Sequence, residues 1–202
     1  MTLQNRCDPW GRFHAVPARG GLMGNRGILH DASRQVVRSH AGDLWIHCVL
    51  SFKGRRRVPM SPGTYTELFF LDEVTALSAG HRPCGECQRA RYGDFVAAWT
   101  AALGGPRDGR TMSKTMDRAL HRSRVNRQGK IIFEAEAGTL PEGTMVQIGR
   151  DAVALWRGRA WCWSFEGYSE TRPPTGRVAV LTPEPIVAVL RAGYVPQTCI
   201  PT

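Results

Sequence analysis

The sequence predicts an α+β protein: a small basic module over residues 1–105, then a helix and a β-rich unit over residues 106–202. Residues 43–71 hold two short stretches with the period-two alternation of strands. Residues 84–103 repeat Tyr92, Phe95, Val96, Trp99 and Leu103 at helical spacing until Gly104-Gly105-Pro106 stops the pattern. Beyond that break, one amphipathic segment gives way to short β-rich stretches divided by Gly and Pro.

The stretch from Arg19 to Gly27 can supply positive-φ turns and reads as a loop or hairpin. It has no P-loop lysine spacing, so a plain turn is favoured over a phosphate cradle with Arg19 and Arg26 as counter-charges. From Asp43 to Phe52, Leu44, Ile46, Cys48 and Leu50 alternate with Trp45, His47 and Val49, which predicts a strand. A basic turn and a proline loop follow, then a second strand from Tyr65 to Leu71. Asp72 stands where a helix N-cap belongs, and Gly80 can end that short helix in the left-handed conformation. After Arg82-Pro83 the pattern places the next helix from about Cys84. Met112, Met116 and Leu120 mark one face of a basic amphipathic helix, with Arg118, Arg122 and Arg124 expected in solvent. Strands are expected at 130–136, 144–148, 152–156, 160–165 and 177–181, then a helix opened by Thr182-Pro183-Glu184 and ended by Gly193.

The chain of 202 residues is 42% hydrophobic, enough for a core. Lys and Arg outnumber Asp and Glu by 27 to 17, a formal charge of +10, which favours polyanionic partners, nucleic acid above all, although solubility alone is also served. No apolar run approaches the ~20 residues that cross a bilayer. The opening residues lack the apolar centre of a signal peptide, so a cytoplasmic protein without membrane partners is expected. Six scattered cysteines fit reduced thiols rather than a disulfide scaffold.

Cys84 and Cys87 form the sequence's strongest chemical signal, because a CxxC turn lets two sulfurs converge on one ion or one thiolate attack another. Arg82, Arg89 and Arg91 would favour the thiolate form. One pair alone leaves zinc, redox exchange and coincidence open.

The segment from Phe69 to Cys87 resembles the second half of the zinc-binding domain of the Ada DNA-repair family. The likeness lies in a strand aromatic, Ala76 in a short helix, Gly80, Arg82-Pro83 and the two cysteines. It covers about twenty residues of the chain. The resemblance implies an Ada-like metal-binding module that holds zinc, contacts DNA and, in that family, takes a methyl group from a backbone phosphotriester onto a cysteine. This chain departs from the pattern: an ungapped extension puts Lys53 and Arg57 where the family's first two cysteines would stand. Two cations repel zinc, so other donors must complete a tetrahedral site. Cys48 is the expected third ligand; His47 beside it points to the opposite strand face. The fourth position is open to His40, His30, His81 or water, with His40 taken as the candidate.

The expected function is therefore that of a zinc-binding, nucleic-acid-binding protein related to DNA repair or modification, with Lys53, Arg55, Arg56, Arg57, Arg82 and Arg89 meeting phosphate oxygens. The alternatives are a metal-dependent hydrolase or nuclease, with Glu67, Glu73 or Glu86 as general base, and a stoichiometric alkyl acceptor.

Overall fold

A computed structural model describes residues 2–55, 58–106 and 108–201. The fold is α+β. The first sheet comprises β1 (Arg6–Cys7), β2 (Phe13–His14), β3 (Leu22–Asn25), β4 (Ile46–Cys48), β5 (Leu68–Phe70) and β6 (Arg82–Pro83), in the order β2-β1-β5-β3-β4-β6. The β1–β5 and β4–β6 pairs are parallel. Helix α1 (Glu73–Ser78) links β5 to β6, and α2 (Arg89–Leu103) and α3 (Gly109–Arg124) follow. A hairpin of β7 (Val125–Asn126) and β8 (Gly129–Lys130) then leads into an antiparallel second sheet. That sheet contains β9 (Phe133–Glu136), β10 (Met145–Ile148), β11 (Asp151–Trp156), β12 (Arg159–Ser164), β13 (Gly167–Thr171) and β14 (Arg177–Val180), and α4 (Glu184–Arg191) comes after it. No helix among the described residues is long and apolar enough to cross a membrane.

Helix α1 forms where its cap predicts: Asp72 accepts a hydrogen bond from the Thr75 amide at 2.9 Å, and Gly80 leaves the helix at φ +86°. Although it has six residues, all are buried, because each side of the helix meets a different partner. Ala76 packs on Leu68 and Phe70 of the first sheet. Leu77 joins Phe95, Trp99, Met116, Leu120 and Ile186 among the other helices, and Val74 joins Met145 and Ala154 of the second sheet and Leu181 just beyond β14. Such a short helix is marginal alone, so tertiary packing holds it. Full burial of Leu77 contributes roughly 1.5–3 kcal/mol.

Alternation divides the first sheet into two chemically different faces. Gly24 pairs with His47 and Leu68, placing these residues on the face towards α1, and Gly24 has no Cβ where the Phe70 ring crosses it. Met23 pairs with Cys48 and Phe69, and these lie on the opposite face.

Several elements differ from the sequence expectation. Helix α2 begins at Arg89 rather than Cys84, because Arg82-Pro83 extends beside β4 and residues 84–88 turn back on themselves, with the Gln88 amide donating to the Cys84 carbonyl. Part of the stretch read as a loop, Leu22–Asn25, is the strand β3 between β5 and β4. Arg124, expected in solvent, is 1% exposed and donates to the carbonyls of Gly80 and Asp43. Strand β13 was not anticipated, because its sequence is polar; it borders β12 at the sheet edge.

Candidate metal centre

Cys48 of β4 and the two cysteines of the turn that follows β6 converge on the face of the first sheet turned away from α1. His47 pairs with Pro83 across the parallel β4–β6 ladder, and the Cys84 amide donates to the His47 carbonyl at 2.9 Å. That pairing brings the Cys84–Cys87 turn beside Cys48. The sulfurs of Cys48, Cys84 and Cys87 all lie within 4.8 Å of one another. Thiolates bound at 2.3 Å to one tetrahedral ion stand about 3.8 Å apart, so closure on a metal requires only a small contraction. The arrangement can hold a metal ion.

Their protonation is shared. Cys84 falls to about 5 because the Cys48 thiol donates to it and the Glu86 and Cys87 amides add support against the opposing effect of burial. Cys48 is pushed far up by that same hydrogen bond, by burial and by the neighbouring sulfur charges. Cys87 is raised chiefly by burial. One negative charge is therefore readily accommodated, and a cation is needed for the others to ionise together.

Behind the cysteines, the α1-facing side of the sheet carries a buried polar relay. Gln88 donates to His47 Nδ1 at 2.9 Å and to its carbonyl at 2.8 Å, which leaves His47 Nε2 facing Glu73 Oε1 at 3.3 Å. The Tyr194 hydroxyl donates to Glu73 Oε1, while Arg91 and the Gln197 amide reach Oε2 at 2.6 and 2.7 Å. Burial alone would raise the Glu73 carboxyl, but the donors from His47, Tyr194 and Gln197 prevail and hold it at about 2. Its folded value lies below its ordinary 4.5, so its contribution is complete above that value and is lost as pH falls towards 2. Acid titration of unfolding stability should show a loss of about 3 kcal/mol over that interval, absent from Glu73→Gln.

No family model, curated protein or solved structure matches the chain. The three clustered cysteines help line a cavity of about 360 Å³ whose wall also carries Met23, Asn25, Ile46, Tyr65, Glu67 and Phe69. Glu67 is 5% exposed and accepts from the Met60 amide through Oε2 at 2.8 Å. At the cavity rim, Arg55 pairs with Glu86 at 3.0 Å.

The other candidate residues are distributed more widely. His40, taken as the fourth ligand, is not in the cysteine group: its ring packs on Trp45 and His121, and its Nδ1 lies 3.0 Å from the Ser39 hydroxyl. His30 is bonded to Thr66 and Ser61, while His81 accepts from buried Arg26. Arg82 is 3% exposed and unavailable to a phosphate, because it grips both oxygens of Asp117 at 2.7 Å. Lys53, Arg55 and Arg89 are exposed; Arg56 and Arg57 lie outside the described residues. Arg118 and Arg122 of the basic helix are exposed as the sequence predicts, and sequence reasoning missed only Arg110 and Lys114, which continue them into an exposed stripe on α3 at four-residue intervals. That spacing was its available signal.

Proposed function

We propose that this chain is a zinc protein acting on nucleic acid, with Cys48, Cys84 and Cys87 holding the metal and its fourth position turned to the cavity. The single observation that carries this reading is that all three clustered sulfurs lie on the cavity wall. An all-thiolate donor set favours a soft ion, and zinc is the common choice in this geometry. Zinc held by three protein ligands with one exchangeable position supplies Lewis acidity and lowers the pKa of bound water.

The chain's own groups have separable tasks. Phe69 and Tyr65 offer ring surfaces for a base, Glu67 is the buried one of the two cavity carboxylates, Glu86 being paired with Arg55, and would accept a proton, and Arg55 at the rim can meet a phosphate. Lys53, Arg89 and the α3 stripe extend positive charge beyond the cavity. The Ada-like DNA-repair reading is supported by the strand, helix and CxxC order around Phe69–Cys87. It also favours a second outcome, alkyl transfer to Cys87, the least buried residue of the three.

The test uses zinc-loaded protein with single- and double-stranded DNA, including strands carrying a methyl phosphotriester. Hydrolysis products that fall about 100-fold or more in Glu67→Gln, with metal content unchanged, support the enzyme. A permanent one-methyl mass gain on Cys87 identifies the acceptor instead. Zinc retention without salt-sensitive DNA binding, hydrolysis or methyl transfer rejects the proposed nucleic-acid role.

A further inference from the structure

A second cavity, of about 530 Å³, is bordered by Trp10, Phe13, Trp45 and Ile132 and by five cationic side chains: Arg12, Arg26, Arg38, Arg124 and Lys130. Its lining contains no carboxylate among the described residues. Arg12 and Arg38 are exposed, whereas Arg26 and Arg124 are 2% and 1% exposed.

The inner cations have hydrogen-bond partners but little neutralisation. Arg26 donates to His81 and to the carbonyls of Gly11 and Ala79, Arg124 to those of Gly80 and Asp43, and Lys130 to that of Ser78 at 2.6 Å. Both guanidiniums lie against Trp45, 4.0 and 4.1 Å from its ring centre. The nearby carboxylate of Asp8 is engaged by the Arg12 amide and His14. Buried Arg124 Nε has no hydrogen-bond partner. Burial and the adjacent Arg26 push Lys130 down to about 7, against smaller support from Cys7 and Asp8. Concentrating this much positive charge away from water is costly unless an anion accompanies it.

We propose that this cavity binds a phosphate monoester whose organic body rests on the apolar wall. Arginine matches phosphate oxygens through paired donors, and the volume is suited to a small ligand rather than to a bare ion. A free mononucleotide and the 5′-phosphate end of a strand share this chemistry. The inference stands apart from the cysteine centre and does not require it.

Calorimetric titration should compare adenosine monophosphate with adenosine, and a 5′-phosphorylated oligonucleotide with its 5′-hydroxyl counterpart. The expected result is at least ten-fold tighter binding of the monophosphate than of adenosine. Arg12→Ala/Arg38→Ala at the rim and Lys130→Met within should each remove most of that difference, with folding checked by circular dichroism. Arg150→Ala/Arg172→Ala, which removes the same charge as the rim pair from exposed positions outside the cavity lining, should leave it intact. Phosphate-dependent strand binding tighter than the monophosphate's would identify a strand end; the reverse order would identify a free nucleotide. Equal binding of monophosphate and adenosine, or an equal loss in the Arg150→Ala/Arg172→Ala control, overturns the proposal.

Discussion

Cys48→Ser, Cys84→Ser and Cys87→Ser should each lose metal that the parent protein carries at about one zinc per chain. Each substitution replaces one of three clustered sulfurs with a hydroxyl, leaving two thiols where three converge. Loss of an outer hydrogen-bonding partner typically costs a metal site 10–100-fold in affinity, so loss of a direct ligand should exceed about 100-fold. Elemental analysis and competition against a chromogenic chelator provide the readout. Cys162→Ser and Cys199→Ser supply controls, because neither residue belongs to the group. Chelation should also lower the parent's melting temperature, since a metal that binds the folded site preferentially contributes to folding stability. Metal-free parent protein, or full zinc content in all three variants, would contradict the proposed site.

Arg82→Met should destabilise the fold by about 3–5 kcal/mol through loss of a buried ion-pair partner. Arg82 and Asp117 are both buried, and the guanidinium also donates to the Pro83 carbonyl and Ser113 hydroxyl. Removing it strands Asp117 without its countercharge. The Arg82→Met/Asp117→Leu double variant should recover much of the loss, because an apolar pair avoids the remaining desolvated carboxylate. Urea denaturation measures both effects. Arg82 immediately precedes Pro83 and Cys84, so the single variant should also weaken metal retention by loosening β6 beside β4.

The alternation around Ile46–Cys48 made opposite facings for His47 and Cys48 legible before the tertiary pairing was known, and the CxxC spacing singled out Cys84 and Cys87. Asp72 likewise carried the sequence chemistry of a cap, and Asp72 does cap α1. Charge partners were harder to read because their separation in sequence hides their proximity in space. Asp117 is 35 residues from Arg82, and Glu73, which the sequence offers as a candidate general base, gathers His47, Arg91 and Tyr194. Arg124 was expected in solvent by the usual preference for exposed charge, whereas its actual environment is made from distant carbonyls and Trp45. Gly-rich β3 and polar β13 were obscured because strand pairing, rather than local composition alone, fixes their conformation.

The start of α1 also imposes an order on maturation. Thr198 reaches Asp72 across 126 positions, and Tyr194 and Gln197 reach Glu73 across 121 and 124. During synthesis, the polypeptide around the cysteines must wait for these distant residues before His47's carboxylate partner is fully fastened. Loop closure therefore makes completion of the relay a late folding event, even though its cysteine turn is local.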